Sequence, residues 1–139
     1  KLPGERPYPQ ILNDAEELYG LLLTAETMMT KVDKIRYNNR AVDQILDVIK
    51  EFVLAYDFED DREIHLKRMC ANVTVFIRTM RIINDRNVIH VFNPLETEKP
   101  DSVKMKIMEH LGKLDEGATR WKNSIINSRN KGTSGIAKQ

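Results

Sequence analysis

The spacing of apolar residues in the segment 42–56 constrains the fold most, because these residues recur every three or four positions. That spacing places the apolar side chains on one face of an α-helix. Three other segments, residues 13–34, 60–85 and 101–129, show the same pattern. The positions predicted to face the core are Leu18, Leu21, Leu22, Ala25, Met28, Met29 and Val32; Val42, Ile45, Leu46, Ile49, Phe52, Val53 and Tyr56; Leu66, Met69, Cys70, Val73, Phe76, Ile77, Met80 and Ile83; and Val103, Ile107, Leu111, Leu114, Ala118, Trp121 and Ile125.

The ends of these segments carry helix start and stop signals. Asn13 and Glu16 have the spacing of a capping box at the start of the first helix, and Asp60 and Glu63 have it at the start of the third. The chain has 6 Gly and 5 Pro, and three of the prolines lie in its first ten residues, so few turn-forming residues interrupt the rest. The longest connection, residues 84–100, precedes a fourth helix that we expect to begin at Asp101 or Ser102.

Four amphipathic helices with short links between the first three predict an all-α fold, an antiparallel up-down four-helix bundle. We expect the bundle to occupy residues 13–129, with an N-terminal extension at 1–12. The glycine-, serine- and lysine-containing end at 130–139 cannot bury much apolar surface, which predicts a flexible basic tail.

The net charge of +1 conceals an asymmetry along the chain. Residues 1–61 contain 7 Lys and Arg against 13 Asp and Glu, a balance of −6. Residues 62–139 contain 15 against 8, a balance of +7. The two halves either neutralise each other across packed helices or present separate acidic and basic surfaces.

Basic residues on the third and fourth helices predict a binding surface for a polyanion or an acidic partner. Lys67, Arg78 and Arg81 fall on one side of the third helix, and Lys106, Lys113 and Arg120 recur every seven residues on the fourth. Together with Arg129 and Lys131 they predict a track that neutralises several phosphates. The alternative is a solvated face whose lysines pair with acids such as Glu109 and Glu116.

Some apolar residues fall outside the predicted core faces. Tyr19 and Leu23 lie off the inner face of the first helix, and Val75 and Ile82 lie off that of the third. A helix that is apolar on more than one side needs a second partner, and these residues predict an interface with another copy of the chain.

The residue types that carry catalysis or bind metal form few suggestive groups. The three histidines lack the Glu-x-x-His spacing of a di-iron bundle, and Asp61 with His65 fits an exposed pair better than a cation site. Cys70 occupies an inward position, which favours a buried small side chain over a nucleophile. We therefore expect no enzyme activity, no metal and no cofactor.

One enzyme class remains as an alternative. All-helical HEPN ribonucleases carry an arginine followed by four to six residues and a histidine, and Arg86 to His90 comes one residue short of that spacing.

The sequence also bears on localisation. The absence of a long apolar run predicts no membrane segment, and the single cysteine fits a reducing compartment, so we expect a cytoplasmic protein.

Three stretches together resemble a known family. They are FVLAYDFEDDREIHLKRM, VFIRTMRIIND and IMEHLGKLDEGATRWKNSI. The chain resembles, over roughly residues 17–131, the four-helix-bundle family that includes the accessory variability determinant of diversity-generating retroelements and proteins encoded in ribosomal RNA intervening sequences. The markers are Arg78, Arg81, the Leu-Gly-Lys stretch at 111–113, and Trp121 followed by a basic end.

The resemblance implies a non-catalytic homo-oligomer, pentameric in the family. It implies a basic surface that binds RNA or DNA together with the retroelement's reverse transcriptase during mutagenic retrohoming. A purely protein-binding helical scaffold is the further alternative.

Overall fold

The computed structural model describes the backbone of residues 9–89 and 98–137, and the side chains of residues 9–89 and 103–127. The long helices in this part are α1 (Gln10–Ala25), α3 (Asn39–Asp57), α4 (Arg62–Asp85) and α5 (Glu98–Ala137). A short helix, α2 (Lys31–Asp33), leads through a π turn (Lys34–Asn38) into α3. Two 3₁₀ turns, Glu26–Met28 and Glu59–Asp61, follow α1 and α3.

The four long helices pack side by side, which confirms the predicted helical bundle. α1 contacts α3 and α5, and α4 contacts the same two helices. Between α3 and α4, Arg62 Nε donates to the Ala55 carbonyl at 2.9 Å. Later in α4 and earlier in α3, His65 Nδ1 lies 2.6 Å from Glu51 Oε2. Such pairs are expected of neighbours that run in opposite directions, so α3 and α4 are antiparallel. The up-down order of the whole bundle stays a prediction.

The core contains many of the apolar residues that the spacing predicted, but the buried face of α3 is shifted. Its buried residues are Ala41, Ile45, Val48, Phe52 and Ala55, and only Ile45 and Phe52 of these were predicted. Phe52, Phe76 and Leu114 are fully buried. The Phe52 ring stacks on Tyr56 with centroids 5.4 Å apart and meets the Trp121 ring edge-on at 6.0 Å. These contacts join α3 to α5 with the geometry that aromatic pairs prefer.

The predicted first helix was wrong at both ends. The structure begins α1 at Gln10 after Pro9, so Asn13 lies inside the helix and caps nothing. The helix ends at Ala25, and the backbone becomes extended at Met29. Thr30 then caps a new helix, because its Oγ1 accepts a hydrogen bond from the Asp33 backbone amide at 3.1 Å. The apolar spacing continues across this break.

Other predicted boundaries also moved. The N-cap of α4 is Asp61 rather than Asp60, and no side chain caps it. α5 begins at Glu98, ahead of the prediction, because Pro100 falls in the first turn, where a missing N–H costs no helical hydrogen bond. Its backbone continues to Ala137, past the predicted end at 129. The predicted end of α4 at Asp85 agrees with the structure.

Three residues predicted to face the core do not pack against it: Val32, Leu46 and the half-buried Val53. Val32 is 59% exposed and Leu46 is 41% exposed. Val32 precedes the π turn, whose extra residue rotates the preceding helix relative to α3. Leu46 lies at the margin of the apolar face of α3, next to the buried Ile45.

Candidate nucleic-acid interface

On α4, the three basic residues named in the sequence prediction lie on the side of the helix next to α5. Lys67 lines a groove between the two helices together with Cys70 and Thr74. Arg78 and Arg81 follow Thr74 at about one and two turns along the same side of α4, and both side chains are exposed. The three α4 residues named in the sequence prediction therefore share one surface.

Two lysines of α5 complete this surface, and the sequence prediction missed both. Lys122 lines the groove opposite Lys67. Lys104 lines a second, smaller cleft between α4 and α5, beside Met80 and Ile83. The signal for both was available, because they precede or follow core positions of α5 by three or four residues. We call the five residues the α4–α5 cationic face: Lys67, Arg78, Arg81, Lys104 and Lys122.

The predicted row on α5 lies on the other side of that helix. α5 contacts α1 through His110, which meets Asp14, and through Gly117, which packs on Ile11. Lys106, Lys113 and Arg120 each lie three or four residues from one of these contact positions, so the row flanks α1. The structure therefore does not join the α4 and α5 residues into the single track that the sequence predicted.

The α5 row is also partly neutralised. Lys113 Nζ lies 3.3 Å from Glu109 Oε1, four residues earlier in the helix. On α4, Lys67 Nζ lies 3.4 Å from Glu63 Oε1 in the same arrangement. In contrast, Arg78 and Arg81 form no ion pair with any side chain in the described part of the chain. The side chains of Arg129 and Lys131 lie outside the described residues.

The two histidines with described side chains each pair with a carboxylate on a neighbouring helix. His65 Nδ1 lies 2.6 Å from Glu51 Oε2, so the predicted Asp61–His65 pair was wrong. Asp61 instead ends a 3₁₀ turn and is exposed. His110 Nδ1 lies 3.1 Å from Asp14 Oδ1, and the Asp14 side chain is almost fully buried. Both pairs link helices.

Cys70 lies half-buried in the groove, against the core residues of α4. Burial raises the pKa of its thiol, and the positive charge of Lys122 opposes that rise. The thiol Sγ is 3.5 Å from the Ala118 carbonyl on α5. A thiol with a raised pKa is a poor nucleophile at neutral pH.

The ribonuclease alternative depends on a residue that the structure does not describe. Arg86 caps the end of α4 and is exposed, and Asn87 adopts the left-handed conformation with φ 51°. His90 lies outside the described residues. The described side chains, at residues 9–89 and 103–127, contain no cluster of three His, Cys, Asp or Glu with metal-binding geometry. None of the described helices is long and apolar enough to cross a bilayer.

Three of the four apolar residues predicted to contact another copy are exposed. Leu23 is 42%, Val75 51% and Ile82 49% exposed. Tyr19 differs, because it is half-buried and packs against the core. Ile64, 51% exposed on the same side of α4 as Val75 and Ile82, extends this apolar strip and was not predicted.

Comparison of the chain with protein-family models, with curated proteins and with solved structures finds no match.

Proposed function

We propose that this protein is a non-catalytic accessory factor that self-associates and binds nucleic acid along the α4–α5 cationic face. One feature carries the proposal: helical spacing places Arg78 and Arg81 on the side of α4 that borders the clefts lined by Lys104 and Lys122. Both arginines are exposed and have no carboxylate partner among the described residues. Exposed arginines held at helical spacing fit the phosphates of a nucleic-acid backbone.

The biological setting that we propose is a diversity-generating retroelement in the cytoplasm, with a reverse transcriptase as protein partner. The sequence resemblance supports this setting, including a pentamer. The exposed strip of Ile64, Val75 and Ile82 supports self-association, because clustered apolar side chains on a surface favour a protein interface. A reverse-transcriptase gene beside the gene for this chain, and co-purification of the two proteins, are the expected findings.

Salt-dependent RNA binding tests the nucleic-acid part of the proposal. The double variant Arg78→Gln/Arg81→Gln should reduce the slope of log affinity against log salt by about 1.4 on single-stranded RNA, since each phosphate contact contributes about 0.7. Fluorescence anisotropy with a labelled oligonucleotide measures this slope.

The matched control is Lys106→Gln/Lys113→Gln, which removes the same charge from the side of α5 that flanks α1. It should change the slope much less. Equal losses in the two variants, or no binding by the unchanged protein at about 50 mM salt, would contradict the proposal. Ribonuclease activity that His90→Ala abolishes would instead favour the HEPN alternative.

A protein-binding scaffold is the second candidate, and the exposed apolar strip on α4 favours it. On this account the cationic face contacts an acidic protein. Retention of a protein partner by a chain that binds no RNA or DNA would support it.

A further inference from the structure

The groove between the first half of α4 and the last described turns of α5 has the features of a binding site for one apolar group. Its volume is about 280 Å³, and Cys70, Ala71, Ile125 and Ile126 form most of its lining. This volume is just under the roughly 300–1,000 Å³ of typical small-ligand pockets, so the groove suits a single large side chain better than a whole ligand.

The ends of two lysine side chains make this groove selective. Lys67 and Lys122 line it from opposite helices. Lys67 already pairs with Glu63, but both partners are about half exposed, and an ion pair of this kind contributes little. An apolar group flanked by carboxylates therefore matches both the lining and the charge of the groove.

The chain itself carries such a group at the turn between α3 and α4. Phe58 is 58% exposed, and Glu59, Asp60 and Asp61 follow it directly. The turn is ordered: the Phe58 amide donates to the Leu54 carbonyl at 3.0 Å, and the Asp61 amide donates to the Phe58 carbonyl at 3.3 Å. The backbone that carries the exposed ring is thus fixed, which reduces the entropic cost of binding.

We propose that Phe58 of one copy inserts into the α4–α5 groove of a second copy. The carboxylates of Glu59 and Asp60 then lie near Lys67 and Lys122 of that second copy. An aromatic side chain buries about 150–250 Å², and a central aromatic anchor ringed by polar groups is the usual form of an interface hot spot.

Within one chain, Phe58 is not part of the groove lining, and the residues after it, Glu59 and Asp60, line a neighbouring pocket with Trp121. We therefore assign the occupant to a second copy. Cys70 lies eight residues beyond the start of α4, about 12 Å along the helix axis, and Phe58 precedes that start. The first half of the chain, which ends in the turn after Phe58, is acidic, and the second half, which forms the groove, is basic. A contact between the turn of one copy and the groove of another therefore joins opposite charges.

This contact shares Lys67 and Lys122 with the proposed function, because both lysines belong to the α4–α5 cationic face. It uses neither the apolar strip on α4 nor the arginines at 78 and 81, which stay uncovered for a polyanion. The Phe58 variants test this contact and the Arg78→Gln/Arg81→Gln variant tests polyanion binding, so the two failures are distinguishable.

Disulfide trapping tests the contact directly, because Cys70 is the only cysteine in the chain. In the variant Glu59→Cys, which keeps the Phe58 ring, mild oxidation should join position 59 of one copy to Cys70 of another, and mass spectrometry of the linked peptides identifies that bond. The control Asn13→Cys places an exposed thiol on α1, away from the groove, and should give no bond to Cys70 above background.

Sedimentation velocity gives a second, independent measurement. Phe58→Ala should raise the dissociation constant of self-association roughly thirty-fold, as expected for a hot-spot residue. The control Val32→Ala removes an equally exposed side chain from α2, which precedes the opposite end of α3, and should leave the constant unchanged. Absence of the bond between position 59 and Cys70, or equal association by the two alanine variants, overturns the proposal and leaves the groove to a different occupant.

Discussion

Replacing His110 by leucine should destabilise the protein more than replacing its partner Asp14. The Asp14 side chain is 3% exposed and meets the His110 imidazole at 3.1 Å across the α1–α5 contact. Removing the imidazole leaves a buried carboxyl group without this hydrogen bond, which costs about 1–3 kcal/mol, and more if the group stays charged. With a urea m-value of about 2 kcal/mol/M, His110→Leu should lower the unfolding midpoint by about 1 M.

Replacing Asp14 by leucine should lower the free energy of unfolding by less than replacing His110. The His110 side chain is 20% exposed, so in Asp14→Leu water can replace the lost hydrogen bond of the ring. The double variant Asp14→Leu/His110→Leu removes both polar groups and should be more stable than His110→Leu alone, because replacing both partners by apolar groups is nearly neutral.

Urea unfolding followed by far-ultraviolet circular dichroism measures all three midpoints at one protein concentration. A double variant whose loss equals the sum of the two single losses would show that the two side chains do not interact. A His110→Leu midpoint equal to that of the unchanged protein would show that the carboxyl group is not buried as described.

Two further pairs of substitutions test the packing. Gly112→Ala meets nothing within 4 Å and should stabilise the protein by up to about 1 kcal/mol through helix propensity. Gly117→Ala should be the less stable of the two variants, because its added Cβ would lie 3.2 Å from the Ile11 side chain, which must shift. Thermal unfolding ranks the two, and the opposite order would contradict the α1–α5 packing. Phe76→Asp should unfold the chain because Phe76 is fully buried. Val75→Asp should keep the circular dichroism spectrum of the unchanged protein and lower the oligomer mass measured by light scattering. An unchanged oligomer mass in Val75→Asp would remove Val75 from the interface.

Apolar spacing predicted the bundle because burial on a helix face repeats every three or four residues, and that signal is strong on α3 and α4. It could not locate the break after α1. Apolar residues keep that spacing through Met29, and the stop depends on Thr30, whose hydroxyl caps the next helix. The pattern T-x-x-D at that point was a local signal of a helix start.

The candidate site was predictable only in part, because the spacing of residues within one helix does not determine which neighbouring helix packs against each of its sides. Lys67, Arg78 and Arg81 were grouped correctly for that reason. Joining them to the row on α5 required knowing which side of α5 contacts α1, and that depends on pairs such as Asp14 with His110. A buried aspartate partnered by a histidine 96 residues away has no signature in the spacing of either residue.

The π turn before α3 implies an unusual tolerance to a change in chain length. Its backbone hydrogen bonds join residues five apart instead of four, as when the Asn39 amide donates to the Lys34 carbonyl. The turn therefore holds one residue more than an α-helix of the same length. Deleting Arg36, which is exposed, would convert this turn to ordinary α-helix and leave the rest of α3 in its place. The deletion would be absorbed upstream by a rotation of α2, whereas the loss of one residue in the middle of α3 would turn half of its apolar face away from the core.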